Sequence, residues 1–507
     1  MTKKKHTILY VFLLSLLFKP LWIFETQILT PSDDFSYWLH STTVAFDYDI
    51  TYIDDHNYDH YTFHPLTKAP LHPPGAGYAN APFVFIFNQI DNIKKNNVDR
   101  LNPSGSFAFI GYFAGTLLYC YLGFYFLMQI INKKKYNHYG LLYIVILLSS
   151  LIHFVAGRFL MAHSFEFFLC SALLYLFETK KNLFQQVDFL KLTIVYFFLS
   201  ITRPSTFIYS ICLLGIYYDS FKFKINIKQL ITNFSVAFIF ISIYIHLSNK
   251  LYNENTILID VSKSIFLNEQ ADLFNLTHSL NGLKNFPNLI FSTSMGIIWI
   301  MPTVVFLLFN IIKPNYFFGK FNKTKYLFFL LYILGCFAVL FIWQGIEISY
   351  GQRLLIGLLP ISFISISKVK IINYKILNIY FYLLYIAYLY FYSPNLSLAK
   401  GKTLWGTVVE FAPTEYFSNL FFSILNLENI LYVLLKNIYT VNIVKSFSLE
   451  NLNIFNNLIE KLSFDNQIKL LEIFRLYNGI DIFYLLVTNF CIFTFSYLFV
   501  NKIMIKK

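Results

Sequence analysis

The sequence predicts an all-α polytopic membrane protein with about 12 transmembrane helices. Of its 507 residues, 56% are hydrophobic and only 13% are charged, and the mean hydropathy is +0.54. Soluble domains carry about 25% charged residues, so this composition argues against a soluble protein. The lysines are also grouped between apolar runs instead of being spread along the chain.

Twelve apolar runs are candidates for spans of about 20 residues. They lie at about 8–28, 105–131, 139–156, 159–178, 189–203, 204–218, 230–247, 289–312, 325–343, 353–367, 376–392 and 480–500. The pair at 189–203 and 204–218 is short, and a hairpin that does not cross fully is the alternative there.

Alternate connections between these runs carry 22 of the 35 lysines. Such clusters begin at Lys3, Lys133, Lys180, Lys222, Lys313, Lys368 and Lys502. The positive-inside rule therefore places these connections and both chain termini in the cytoplasm. The net charge of +13 then follows from membrane topology, and no nucleic-acid partner is expected.

The remaining connections form three larger outer pieces, at about 29–104, 248–288 and 393–479. We therefore divide the chain into three parts. They are a transmembrane core at 1–392, whose first outer loop is 29–104, an extracytoplasmic amphipathic helical segment at 393–479, and a final transmembrane helix with a cytoplasmic tail at 480–507.

Two features indicate how the chain is processed. The first 25 residues combine a basic start with an apolar run, but no small-residue cleavage site follows, so we expect an uncleaved first span. The five cysteines all lie in apolar segments, so neither a disulfide framework nor a zinc site is expected.

Two adjacent carboxylates, Asp33 and Asp34, follow the first span and mark the first candidate site. One interpretation is a solvated helix N-terminus, with Ser32 or Asp33 as the N-cap. The other is a general base or a metal ligand at an active site on the membrane surface.

The first outer loop is rich in Asp, His and Tyr, which makes a divalent cation an alternative ligand there. His56 and His60 are four residues apart but lack helical apolar periodicity, so the metal stays unknown and no cofactor is certain. The Pro-Gly-rich stretch from His72 then predicts a turn into a short apolar helix at 78–92, lying along the membrane surface.

Arginine provides a second candidate site, because it accounts for only five of the 40 basic residues. Arg158, Arg203 and Arg353 lie at predicted outer ends of spans, against the positive-inside trend. A guanidinium binds phosphate through two parallel hydrogen bonds, so a bound phosphate is one interpretation. The other is that each side chain only reaches the lipid headgroups.

His163 and Glu166 are three residues apart inside a predicted span and share one helix face. Ionisable groups inside a membrane usually have partners or functions. A place in the same outer site and an interhelical hydrogen bond are both compatible with this spacing.

The order of these motifs resembles the GT-C glycosyltransferases, in particular bacterial members related to protein mannosyltransferases and aminoarabinose transferases. The matching features are the acidic pair, the Pro-Gly and Ala-Pro-Phe block of the first outer loop, Arg203-Pro204, the Gly296, Trp299 and Pro302 motif, and the turn from Ser349 to Arg353. Together they cover most of residues 1–392.

This resemblance implies a glycosyltransferase that moves a sugar from a polyprenyl-phosphate carrier to a glycan, lipid or protein acceptor. It would lie in the bacterial inner membrane with an extracytoplasmic active site. Asp33 and Asp34 would be catalytic, and Arg158, Arg203 and Arg353 would bind the donor phosphate. Further substrate-site candidates are Tyr37, His72, His163, Glu166, Glu347 and Tyr350.

The acidic pair departs from the usual pattern of the family, which is Asp-Glu with a Tyr three residues later. Here the pair is Asp33-Asp34 followed by Tyr37, so the choice of base is open, with Asp33 favoured by its place in the pair.

Two other functions remain as alternatives. An O-antigen ligase or polysaccharide polymerase also uses polyprenyl-linked sugars, but usually carries its large outer loop late in the chain. A lipid or sugar transporter usually shows internal repeats, which this sequence lacks.

Overall fold

The computed structural model is mostly helical, in agreement with the predicted class. The structure describes residues 11, 14–15, 33–53, 55, 63–101, 103, 105–136, 150–180, 182–221, 226–253, 297, 301–312, 314–318, 322–342, 353–368 and 482–501. Within these residues there is no β-strand, and Phe63 and Pro70 form an isolated antiparallel bridge. The predicted span at 376–392 and the predicted segment at 393–479 lie outside this part of the chain.

The helices are numbered here in chain order. They are α1 (Asp33–Thr42), α2 (Gly75–Ile93), α3 (Phe107–Lys134), α4 (His163–Thr179), α5 (Gln186–Thr202), α6 (Pro204–Ser210), α7 (Cys212–Ile216), α8 (Ile227–Tyr252), α9 (Pro302–Ile312), α10 (Lys323–Ile342), α11 (Leu359–Lys368) and α12 (Ile482–Phe499). Shorter helical segments are Thr43–Asp47, Ser150–Ile152, His153–Gly157, Tyr218–Ser220, Asn315–Phe318 and Arg353–Leu358.

Most predicted apolar runs coincide with helices where the chain is described. Helix α2 confirms the short helix predicted at 78–92, and α3 covers the run predicted at 105–131. The run predicted at 204–218 is covered by α6 and α7, which are separated only by Ile211, a residue that itself has helical backbone angles.

Helix α1 lies inside the protein. Phe35, Tyr37, Trp38 and Leu39 face different directions around the helix, and each is at most 2% exposed. Asp34 is also buried. The solvated helix N-terminus expected for this stretch is therefore wrong for Asp34, because packing on all sides of α1 removes water from it.

Helix α2 packs directly on α1 through a glycine. A Cβ atom at Gly77 would lie 2.6 Å from the carbonyl oxygen of Tyr37 and 3.1 Å from the amide nitrogen of Ser41. Only glycine allows the two backbones to approach this closely. The Gly-rich start of α2 therefore fixes its position against α1.

The end of α2 also holds the start of α3. The Asp91 carboxylate is fully buried and accepts hydrogen bonds from the amides of Phe107 at 3.0 Å and Ala108 at 2.8 Å. The Ser106 side chain accepts from the Phe109 amide as the N-cap. These bonds satisfy amides that the helix itself leaves unpaired.

Two helices within the described part of the chain, α3 and α8, are long and apolar enough to cross a membrane. The two helices differ in burial. In the most apolar 18-residue stretch of each helix, 78% is buried for α3 but only 6% for α8. The exposed residues of α8 include Phe234, Phe238 and Ile241. The predicted arrangement of twelve spans is not confirmed by this count.

Candidate active site: two buried carboxylate–arginine pairs

The first pair joins Asp34 on α1 to Arg158, which follows the helical turn His153–Gly157. The Arg158 Nε atom donates to Asp34 Oδ2 at 2.9 Å, and Arg158 Nη2 donates to the same oxygen. The Asp34 side chain is 2% exposed and that of Arg158 is 19% exposed. Arg158, expected to bind the donor phosphate, is thus held against a carboxylate.

The second oxygen of this carboxylate differs from the first. Asp34 Oδ1 is buried and has no hydrogen-bond partner among the residues that the structure describes. Most buried polar atoms in proteins are hydrogen-bonded. Several buried hydroxyl groups of the described residues, such as that of Ser41, also have no partner, but Asp34 Oδ1 is the only carboxylate oxygen there in this state. An acceptor-only oxygen of this kind suits a ligand that donates a hydrogen bond, such as a hydroxyl group.

Aromatic and imidazole groups lie along α1 beyond Asp34. Tyr37 lies one turn after Asp34, and its ring centroid is 5.8 Å from that of His72. His72 Nδ1 is 3.1 Å from Ser36 Oγ. The Tyr112 ring on α3 packs against Trp38 of α1, with ring centroids 6.2 Å apart. The structure therefore places Tyr37, a predicted site residue, one turn after Asp34, and a second predicted site residue, His72, against Tyr37 and Ser36.

The second pair joins Glu166 on α4 to Arg203, at the junction of α5 and α6. Arg203 Nε lies 3.4 Å from Glu166 Oε2, and His163 Nδ1 lies 3.1 Å from the same oxygen. The Thr206 hydroxyl donates to Glu166 Oε1 at 2.6 Å. Both Glu166 oxygens thus have partners, and the predicted sharing of a helix face by His163 and Glu166 is confirmed.

A separate network holds α1 to the outer loop. His40 Nε2 is 2.8 Å from the carbonyl oxygen of His72, to which it donates, so His40 Nδ1 accepts from the Tyr52 hydroxyl. The Tyr252 hydroxyl at the end of α8 donates to the same carbonyl oxygen at 3.3 Å. Burial lowers the pKa of His40 from 6.5 to about 3, so this ring is neutral at pH 7.

The acidic part of the outer loop is neutralised by an arginine. Arg100 Nη2 donates to Asp47 Oδ1 at 2.6 Å, and Arg100 Nη1 lies 2.8 Å from Asp55 Oδ1. Its backbone oxygen accepts from the Trp38 indole at 2.9 Å. No group of three or more His, Cys, Asp or Glu side chains in the described ranges is arranged to hold a metal ion. His56 and His60 lie outside those ranges.

The remaining predicted residues are only partly placed. Asp33 is the first residue of α1 and Arg353 begins the segment Arg353–Leu358, but their side chains lie outside the description. Glu347 and Tyr350 lie outside the described residues.

Sequence reasoning missed His40, Arg100 and Thr206. His40 and Thr206 lie among other polar residues of short helices, and no spacing signal identifies their partners. Arg100 could have been identified from the sequence, because arginine is rare in this chain.

No protein-family model, curated protein or solved structure matches this chain.

Proposed function

We propose that this chain is an integral membrane glycosyltransferase that moves a sugar from a polyprenyl-phosphate carrier to an extracytoplasmic acceptor. The observation that carries the proposal is the buried Asp34 carboxylate, which has Arg158 on one oxygen and no partner in the described structure on the other. The motif resemblance of residues 1–392 to GT-C enzymes supplies the reaction class.

The surface of the helices supports a membrane location. Large apolar side chains are exposed along three helices, for example Phe238 on α8, Leu334 on α10 and Phe490 on α12. Soluble monomers rarely expose apolar patches of this extent, because water penalises them. Together with the alternation of lysine clusters, this supports about twelve spans with both termini in the cytoplasm.

In the proposed reaction, the acceptor hydroxyl donates its hydrogen bond to Asp34 Oδ1. The acceptor oxygen attacks the anomeric carbon, and the bond from that carbon to the carrier phosphate breaks with its electron pair moving to the phosphate. The hydroxyl proton passes to Asp34. This single displacement inverts the configuration at the anomeric carbon.

Each arginine has a distinct role in this scheme. Arg158 fixes the Asp34 carboxylate through two N–H groups, so that Oδ1 faces the acceptor. Arg203 and Arg353 bind the phosphate of the carrier and stabilise its charge as it leaves. Assigning the base to Asp34 departs from the sequence-based preference for Asp33, because Asp34 Oδ1 is the carboxylate oxygen without a partner among the described side chains.

The decisive experiment uses purified full-length protein with polyprenyl-phosphate hexoses and pentoses, and measures release of polyprenyl phosphate in the presence of membrane glycan and protein fractions. We expect turnover by the wild type and a loss of about 10²–10⁴-fold in Asp34→Asn. Asp188→Asn is the matched control, because Asp188 is also buried and pairs with Lys180 at 2.8 Å.

Two results would contradict the proposal. One is a wild-type protein that ignores every polyprenyl-monophosphate sugar but transfers a diphosphate-linked oligosaccharide, as a ligase would. The other is an Asp188→Asn protein that loses as much activity as Asp34→Asn. The topology is checked separately with reporter fusions after Lys135 and Lys325, which should be cytoplasmic, and near residue 440, which should be extracytoplasmic.

A further inference from the structure

Two hydroxyl groups on α6 form a chain that ends on the Glu166 carboxylate. The Tyr209 hydroxyl donates to Thr206 Oγ1 at 3.0 Å, and the Thr206 hydroxyl donates to Glu166 Oε1 at 2.6 Å. Both residues are buried. They are three positions apart and therefore lie on one face of α6, which begins directly after Arg203.

The same face of α6 is in close contact with the segment Arg353–Leu358. A Cβ atom at Gly357 would overlap the Tyr209 hydroxyl oxygen and would lie 3.0 Å from Thr206 Cγ2. The Tyr332 hydroxyl on α10 donates to the carbonyl oxygen of Gly357 at 3.0 Å. This hydrogen bond fixes the position of the segment along α10.

We infer that Thr206 and Tyr209 are positioning residues for the donor phosphate. Thr206 holds the Glu166 carboxylate in the orientation that pairs with Arg203. Tyr209 supports Thr206 and, through Gly357, sets the register of the segment that begins with Arg353. The hydroxyl pair thus orients the partner of Arg203 and positions the backbone of the segment that carries Arg353, an inference that rests on the proposed function of Arg203 and Arg353.

The inference predicts that the hydroxyl groups matter more than the volume of the side chains. Thr206→Val keeps the shape but removes the donor to Glu166 Oε1. The carboxylate can then rotate away from Arg203, and the buried oxygen is left without its donor. Thr206→Ser keeps the hydroxyl, so it should preserve the orientation of Arg203.

The test measures the affinity of full-length protein in detergent for polyprenyl phosphate, the product of the proposed reaction, by ligand-induced thermal shift. We expect affinity to fall about 10-fold in Thr206→Val and in Tyr209→Phe, since a hydrogen bond in a charged network is worth about that factor. Thr206→Ser should bind as the wild type does. Tyr196→Phe is the control, because its hydroxyl donates to the carbonyl oxygen of Ser210 at 3.1 Å and not to Glu166.

A double substitution tests the contact at Gly357. Gly357→Ala alone should weaken binding, because its methyl group would displace the Tyr209 hydroxyl. Made together with Tyr209→Phe, it should add little further loss, since the overlapping atom is gone. Full additivity of the two losses would contradict the proposed contact.

The outcomes separate the two proposals. A wild-type protein that shows no affinity for polyprenyl phosphate would overturn the proposed function and this inference with it. A wild type that binds polyprenyl phosphate, with Thr206→Val and Tyr209→Phe equal to it, would overturn only the positioning role. Equal losses in Tyr196→Phe would also overturn it, since any buried hydroxyl would then have the same effect.

Discussion

The two carboxylate–arginine pairs are alike in chemistry, but they differ in how many of the two carboxylate oxygens have a partner. Glu166 is fully buried, and His163, Arg203 and Thr206 together occupy both of its oxygens. Asp34 is almost as buried, but Arg158 contacts only one of its oxygens. We interpret Glu166 as a group that holds other residues in place and Asp34 as the group that meets the substrate.

The difference arises from the surroundings of each carboxylate. Glu166 lies in the first turn of α4, where the start of α6 supplies a hydroxyl donor from Thr206. Asp34 lies in the first turn of α1, where two other polar side chains are engaged elsewhere: Ser36 with His72, and His40 with Tyr52. Helix α1 is therefore held in place without the second Asp34 oxygen.

The largest expected effect on stability is at Glu166. Glu166→Gln removes the charge that faces Arg203 and His163, and breaking a buried ion pair in this way typically costs about 3–5 kcal/mol. Asp34→Asn should cost clearly less, because it affects the single partner Arg158, whereas Glu166→Gln affects both Arg203 and His163. Thermal unfolding of both proteins in the same detergent checks this. A larger fall in unfolding temperature for Asp34→Asn than for Glu166→Gln would contradict the difference between the two carboxylates.

The next effect concerns the contacts that hold α1 independently of Asp34. Burial lowers the pKa of His40 from 6.5 to about 3, so the unfolded chain binds a proton at this position below pH 6.5 that the folded protein does not. The contribution of His40 to the free energy of unfolding has its full value above pH 6.5. It falls by about 1.4 kcal/mol per pH unit as the pH drops from 6.5 towards 3.

The measurement is the pH dependence of unfolding in wild type and His40→Gln. Glutamine can donate to the His72 carbonyl oxygen and accept from Tyr52, but it does not titrate. Other acidic groups titrate in this range in both proteins, so the difference between the two curves isolates His40. Parallel curves would show that His40 does not have the lowered pKa and that α1 is held in another way.

The smallest effect tests the role of Arg158. Arg158→Lys keeps the positive charge but loses the fork that grips Asp34 Oδ2 through Nε and Nη2. We expect transfer activity to fall about 10-fold, equivalent to about 1.4 kcal/mol, with little change in unfolding temperature. An unfolding temperature that falls as far as in Glu166→Gln would instead make Arg158 a residue that mainly stabilises the fold.

The sequence predicted the helical class and several local features correctly. Composition indicated helices, the Pro-Gly-rich stretch predicted α2, and the three-residue spacing predicted the contact of His163 with Glu166. These features depend on neighbours within a few residues, which a single sequence displays directly.

The pairings between distant residues were not predictable in the same way. Asp34 and Arg158 were both identified as candidates, but as a base and a phosphate ligand, and their contact spans 124 positions along the chain. Thr206 and Gly357 lie in apolar runs where nothing marks them as contacts of Glu166 and Tyr209. Such contacts depend on how helices pack, which hydrophobic periodicity does not specify.

The central claim is that the partnerless oxygen of Asp34 receives the acceptor hydroxyl. The most direct measurement compares the rate of polyprenyl-phosphate release by Asp33→Asn and Asp34→Asn, per amount of folded protein and with or without a chelator. We expect a loss of about 10²–10⁴-fold in Asp34→Asn and a loss below about 10-fold in Asp33→Asn. Full activity in Asp34→Asn would contradict the claim, and so would a loss that added divalent metal reverses, since that would make Asp34 a metal ligand.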